Sequence, residues 1–319
     1  MTYEGKLIEG LKPRSSIEFK SVGLTELSAQ QAIDAHIAKP QDFIGVGLSK
    51  QGFGGCTSTL IGPNTLITAA HCVDDDGSPA KAIPLSMRLR TTTARHNFDC
   101  TIHPDYAKST PQNGSPRSSH DVALCLLKSD ETINLGALKA YEVLEPSYIP
   151  AVNDPILITG FGCTQAEVSE FTDSATGNKV SAVAMGGVSD GFYRIGEEKI
   201  DDLVDLFGTL GPNGEFIPNP NYVAIFVSEG QLGDGNPKLC PVDSGGPLFK
   251  NATVSNHTGN RRVVGINSSI AWSDTFASFS NFTDLSDPSI KKFITDFIGT
   301  KGARICGVNI AAGTNGCRD

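Results

Sequence analysis

CPVDSGGPLF, at residues 240–249, is the stretch on which the reading of this chain turns. Ser244 is followed by two glycines, so another backbone can approach it closely and the chain can take turn geometries closed to other residues. A serine hydroxyl is a weak nucleophile at its ordinary pKa. To attack a carbonyl it needs a base to take its proton, an anion to hold that base in the right tautomer, and donors for the oxyanion that forms. The backbone amides of Val242 and Ser244 are candidates for those donors. The base and the anion must come from elsewhere in the chain.

Two fragments supply them. LITAAHC (66–72) is an apolar strand that delivers His71 onto a tight turn of small residues, with Cys56 upstream. HDVALCLL (120–127) opens an apolar strand with Asp121, and IHPDY (102–106) precedes it. An isolated Asp at a strand start is ordinarily a turn or cap residue, and a lone His beside an apolar strand is ordinarily a core residue. With Ser244 they make a complete set: His71 as general base, Asp121 as its orienting carboxylate and Ser244 as nucleophile.

Short apolar runs recur along the chain, FIGVGL (43–48), TLITAA (65–70), DVALCLL (121–127) and PILITGFG (155–162), separated by Gly, Pro, Asn and Asp. Runs of this length between turn signals indicate sheets folded into barrels or a sandwich. Two segments have helical spacing. EKIDDLVDLF carries an apolar stripe at Ile200, Leu203, Val204 and Phe207, predicting a helix over 197–207. DPSIKKFITDFIG carries another at Ile290, Phe293, Ile294, Phe297 and Ile298, with Asp287 as N-cap, Pro288 at the first position and Gly299 as terminator. Residues 1–32 are polar and show no period, and the Pro-rich EPSYIPAVNDP (145–155) is the best boundary between two β domains.

The net charge of −9 over 319 residues, with no dense Lys/Arg run, disfavours nucleic acid as a partner. No apolar stretch is long enough to span a membrane, and the first residues lack an apolar signal core. Eight cysteines allow full pairing. Their wide spacing, without C-x-x-C, argues for disulfides rather than a metal site and for an oxidising compartment, secreted or periplasmic. The sequons at Asn113, Asn251, Asn256, Asn267 and Asn281 add little.

The three motifs, in the order His, Asp, Ser, resemble those of the chymotrypsin- and trypsin-like serine peptidases over roughly residues 33–299. GFG (160–162) is similar to the family's G-W-G, and VVGINS (263–268) to the strand ending in a serine that bonds the orienting Asp. The resemblance implies an all-β fold of two six-stranded antiparallel β-barrels with a C-terminal α-helix. The first barrel would occupy 33–150 with His71 and Asp121, and the second 151–299 with Ser244. Residues 1–32 would form a propeptide-like segment and 300–319 a Cys-containing tail. It implies the disulfide Cys56–Cys72; for the other cysteines the pairing stays open, with Cys100–Cys125, Cys163–Cys240 and, left for the tail, Cys306–Cys317 as the inferred set. Substrate would meet Lys238, Ser268, Ile270 and Ala277. No cofactor is implied, the expected partners are a protein or peptide substrate and an activating protease, and a monomer is expected.

Departures from the family leave alternatives open. Val242 stands where the family has Gly, so its amide either remains a donor or belongs to a flipped peptide that presents none. Lys238 stands where trypsin-like enzymes carry Asp; it either pairs with an acidic substrate or turns to solvent, and cleavage after Lys or Arg is rejected. Ile33, whose freed ammonium would pair with Asp243, lacks the usual residues around it. Either residues 1–32 are removed or the mature chain keeps them, and an unprocessed zymogen should have a poorly formed oxyanion site. The segment between Cys163 and Lys238 is longer than the family needs and either shapes substrate access or is decoration. An endopeptidase is the leading function, against a catalytically silent binding protein on the same fold or an esterase.

Overall fold

The computed structural model describes residues 12–17, 37–51, 54–74, 83–91, 93–106, 120–133, 135, 139–162, 166–172, 179–184, 192–203, 208–210, 216–218, 224–231, 237–272 and 277–319. After β1 (Lys12–Ile17), six strands follow: β2 (Val46–Gln51), β3 (Gly54–Gly62), β4 (Thr65–Thr68), β5 (Ile83–Leu89), β6 (Arg95–Ile102) and β7 (Ala123–Leu127). They close antiparallel in the order β2-β3-β4-β7-β6-β5. Ile83–Leu89 alternates buried and less buried positions, the period expected of a strand with one face on a core. Leu60, Leu66, Leu85, Phe98 and Ala123 fill this barrel.

Next come β8 (Pro155–Gly160), β9 (Ala166–Thr172), β10 (Lys179–Ala184), β11 (Arg194–Asp202), β12 (Gly208–Leu210), β13 (Phe216–Pro218), β14 (Ala224–Gln231), β15 (Pro247–Lys250), β16 (Arg262–Trp272) and β17 (Ala277–Asp284). The second barrel runs β11-β14-β17-β16-β15-β8 and is closed between β15 and β8 through Phe249 and Leu157. Ile156, Ile158, Leu248, Val264 and Phe282 line its interior. Strand β1 lies outside both barrels, paired with β9, so the N-terminal segment read as patternless contains a strand. A larger cluster takes residues from both barrels, among them Phe43, Ile67, Val122, Leu157, Phe249 and Ile266. This shared core fixes one barrel against the other.

The helix expected over 197–207 is not formed: Arg194–Asp202 is strand β11. Its residues pair with β8 from Arg194 opposite Gly160 to Lys199 opposite Pro155. A short acidic helix gains little alone, whereas the strand satisfies the backbone of β8 and buries Ile195 and Ile200. Val204 and Phe207 lie outside the described residues. The second helix, α1 (Pro288–Lys301), forms as read. The Asp287 side chain accepts from the Ser289 and Ile290 amides, and Ile290, Phe293, Ile294 and Phe297 are buried. It ends later than expected, because Gly302 takes the left-handed conformation (φ 68°) that a helix C-terminus favours. Gly299 stays within the helix.

Cys56–Cys72, Cys100–Cys125 and Cys306–Cys317 are bonded. Cys240 is also disulfide-bonded; Cys163, its expected partner, lies outside the described residues. The tail is anchored rather than loose. Cys306 donates its amide to Ile61 and Arg318 donates its own to Tyr141.

A buried ion pair joins distant segments. Arg261 and Glu142 both have fully buried side chains, and Arg261 Nε donates to Glu142 Oε2 at 2.9 Å. The Arg261 guanidinium also donates to the Asp42 carbonyl and lies 3.9 Å from the Phe43 ring centroid. Arg318 Nε from the tail stands 3.9 Å from the same carboxylate. Removing one member strands the other charge without water. Glu142→Gln should therefore cost about 3–5 kcal/mol in denaturant unfolding, and Glu142→Leu with Arg261→Met should recover most of that loss.

Candidate active site

His71 sits in a 3-10 turn, Ala70–Cys72, directly after β4. Cys72 in that turn is tied to Cys56 on β3, so the turn is held from both sides. Asp121 lies just before β7 and is almost wholly buried. Its Oδ1 accepts the His71 amide at 2.9 Å, and its Oδ2 faces His71 Nδ1 at 2.7 Å. An ionised carboxylate only accepts, so Nδ1 carries the hydrogen and Nε2 keeps its lone pair. Ser268 Oγ donates to the same Oδ2 at 2.7 Å, and Thr283 Oγ1 donates to the Asp121 carbonyl at 3.0 Å. Both residues come from the second barrel.

Behind Asp121, His120 takes φ 52° and stacks on His103 with centroids 4.6 Å apart. Phe293 of α1 meets His103 edge-on at 5.1 Å. Burial, with the neighbouring His120 second, lowers the His103 pKa to about 4, so the ring is neutral at pH 7. Its Nδ1 accepts the Asp105 amide and the ring also bonds the Ser289 backbone. His103, Asp105 and His120 lie close enough to suggest a cation site, but the imidazole of His103 would have to give up these bonds to ligate one.

The loop that carries Ser244 is clamped by the first barrel. Thr57 on β3 donates its amide to the Ser244 carbonyl at 2.8 Å and its Oγ1 to the Val242 carbonyl at 2.8 Å. Gly245 has φ +78°, and a Cβ there would lie 2.1 Å from Thr68 Oγ1 and 2.4 Å from the Thr57 carbonyl. No other residue fits. Asn267 Nδ2 holds the loop from the other side, donating to the carbonyls of Thr159 and Asp243 at 2.7 and 3.0 Å.

Residues 240–243 form a turn in which the Asp243 amide donates to the Cys240 carbonyl at 3.0 Å. Pro241 occupies its second position, and Val242, the third, has φ +83°. That is a type II turn, which normally demands glycine there. The flipped alternative, a type I turn, would put this residue near φ −90° and is not the one present. A β-branched residue at positive φ is a genuine outlier, held here by the Thr57 bond and by packing of the Val242 side chain against the core shared by the barrels. The amides of Asp243, Gly245 and Gly246 are all bonded within the protein. Among the described residues, those of Val242 and Ser244 donate to nothing.

Asp243 points away from this face. Gly162 and Cys240 donate amides to its two carboxylate oxygens at 2.6 and 2.8 Å. A Cβ on Gly160 or Gly162 would fall 1.9 or 2.2 Å from those oxygens, the physical reason for both glycines of the GFG run.

The structure thus brings together His71, Asp121 and Ser268 by direct bonds, and Val242, Asp243 and Ser244 in one loop. No hydrogen bond joins the Ser244 hydroxyl to His71, whose Nε2 lies 3.8 Å from Cys72 Sγ; such bonds are often open until substrate arrives. Lys238 is buried and does not turn to solvent. Ile270 and Ala277 lie on β16 and β17, their side chains outside the described residues, as is all of Ile33. Thr57 and Thr283 were not singled out from sequence, and Asn267 stood there only as a sequon; only the position of Thr57 beside Cys56 could have drawn attention to it.

A trypsin family profile matches residues 34–200, over half of the chain; the match takes in His71 and Asp121 and stops short of Ser244. Trypsin Blo t 3 of Blomia tropicalis is 22% identical over 200 residues, 62% of this chain and 64% of that protein. The matched region thus spans less than two thirds of this relative's length. Among solved structures, neuropsin, a serine protease expressed in the limbic system of mouse brain, gives a TM-score of 0.50 at 18% identity. That likeness covers 82% of this chain and 98% of neuropsin and is one of fold.

The positive φ at residue 242 reverses an ordinary ranking. Val242→Gly should be more stable than Val242→Ala by about 1 kcal/mol in denaturant unfolding, because only glycine adopts this conformation freely. The lowered pKa of His103 has a defined sign too. Between pH 6.5 and about 4 the unfolded chain binds the proton that the folded chain refuses, so stability falls as pH drops through that window. His103→Gln should flatten the decline, read from denaturation midpoints at pH 7 and 4.5.

Proposed function

The chain belongs to the trypsin family, and from that premise we propose that it is a serine endopeptidase acting through His71, Asp121 and Ser244. Ser244 Oγ attacks the scissile carbonyl while His71 Nε2 takes its proton. Asp121, bonded to His71 Nδ1, keeps the imidazole in the required tautomer and stabilises the imidazolium. The oxyanion is received by the amides of Val242 and Ser244. His71 then protonates the leaving amine, and water repeats the sequence on the acyl-enzyme. No cofactor takes part.

The observation that carries this reading is the pair of amides, at Val242 and Ser244, that donate to nothing among the described residues. The amides of Asp243, Gly245 and Gly246 are bonded inside the protein, and two available backbone donors beside a serine are what a tetrahedral oxyanion needs. The strained turn that aims one of them is the kind of backbone cost found at functional sites.

The substrate is a protein or peptide. Cleavage after Lys or Arg is not expected, because Lys238 stands where a cation-binding pocket would carry a carboxylate. Ile270 and Ala277 are assigned to the walls of a pocket suited to a small side chain, with Ser268 on the strand beside it. Three disulfides among the described residues accord with an oxidising, extracytoplasmic setting. No helix among the described residues is long and apolar enough to cross a membrane.

A fluorophosphonate should add once to the folded chain, as read by intact mass, and Ser244→Ala should abolish the adduct. Asp121→Asn should lower kcat on a peptide substrate by about ten-thousandfold, because the imidazole is then held in the wrong tautomer. A folded protein that takes no adduct in any form would overturn the endopeptidase reading.

A further inference from the structure

Asp243 is a carboxylate next to the nucleophile, buried, and part of the turn that sets the Val242 amide. Its two amide bonds do not cancel its charge. Burial pushes its pKa up to about 7, against the pull of the Cys240 and Gly162 amides and of a nearby cation, Arg194. Arg194 opens β11 directly opposite Gly160, the glycine against whose Cα the Asp243 carboxylate is pressed. Arg194 is itself buried. Arg194, Lys238 and Asp243 are the charged residues lining one small cavity behind the loop. The guanidinium carbon of Arg194 also lies 6.0 Å from the ring centroid of Phe192, whose side chain is half-exposed.

We propose that Arg194 supplies from within the chain the buried cation that holds Asp243 and, through it, the turn 240–243, so that the oxyanion donors are set without cleavage before Ile33. The proposal rests on the endopeptidase reading and makes Arg194 a positioning residue. An uncut zymogen of this family should have a poorly formed turn at 240–243. Here the turn is formed, type II and bonded to Thr57, with Arg194 and Asp243 lining one cavity behind it. The rival cation is within reach. Ile37 bridges to Arg194, and four extended residues span at most about 14 Å, so a freed Ile33 ammonium could enter the same cavity. The two sources differ in chemistry. A guanidinium stays charged throughout the alkaline range, whereas a terminal ammonium has an ordinary pKa near 8 and a lysine one near 10.4.

The test uses the full 319-residue chain, verified as uncut by mass, and the rate of fluorophosphonate addition to Ser244. The uncut chain should be labelled, and its rate should hold level from pH 8 to 9.5. Arg194→Gln should slow labelling about a hundredfold, the scale of losing one oxyanion donor, and Arg194→Lys should restore most of it. Circular dichroism and the unfolding midpoint establish that each variant is folded. Should Arg194→Gln not fold, Arg194→Lys and the wild-type pH profile still decide. Labelling of Arg194→Gln at the wild-type rate would overturn the proposal and leave the endopeptidase intact. So would labelling found only after the chain is cut to begin at Ile33, with loss of rate above pH 8. No labelling of either form overturns both.

Discussion

The carboxylate of Asp121 is bonded to both barrels at once, and the geometry of the site depends on it. From the first barrel it receives the amide and Nδ1 of His71, and from the second the hydroxyl of Ser268. Thr283, also from the second, takes the carbonyl of the same residue. A buried carboxylate left short of donors would be costly, so its three bonds are satisfied together or not at all. Satisfying them sets how the barrels lie against each other. The shared apolar core supplies attraction, but apolar contact is not directional. The bonds at Asp121 supply the register.

The loop that carries Ser244 meets the same demand from the other side. Thr57 of the first barrel holds the carbonyls of Ser244 and Val242, and Asn267 of the second holds that of Asp243. With its carbonyls anchored, the loop has little freedom left, and Val242 is driven into a conformation that valine avoids. Two amides, those of Val242 and Ser244, end up with no acceptor among the described residues. Strain and unused donors are thus two results of one arrangement, and both fall beside Ser244.

The parts of this arrangement that were legible in the sequence are those written in rare residue strings. TAAHC, HDVALC and DSGGP announced His71, Asp121 and Ser244 because each packs a polar group among small or apolar neighbours in a way that little else requires. The capped helix α1 was legible because Asp287, Pro288 and a four-residue apolar stripe act locally. The strand at Arg194–Asp202 was not, since its apolar positions fit a helical stripe and only the unpaired edge of β8, far off in sequence, decides for a strand. Thr57 escaped notice, and Asn267 was legible only as a sequon, for a similar reason. A threonine or asparagine becomes a clamp only when a distant carbonyl arrives beside it. The ion pair of Arg261 and Glu142, separated by 119 residues, has no local signature at all.

That ion pair and the longer-range charge pairing proposed for Asp243 are built differently, and the contrast bears on function. Glu142 receives two guanidinium nitrogens of Arg261, whose remaining donors go to carbonyls. The result is close to complete pairing, as a structural pair needs. Asp243 instead spends its oxygens on two amides of the loops it positions and meets its cation across a cavity. A carboxylate held in this way is sensitive to whatever charge occupies the cavity, because solvent does not screen it there. A cation carried on a barrel strand keeps that charge constant. One delivered by a cut chain end would make it conditional. Which residue faces Asp243 therefore decides whether the turn beside Ser244 is a fixed part of the fold or a state to be switched on, and in this chain the strand already carries the cation.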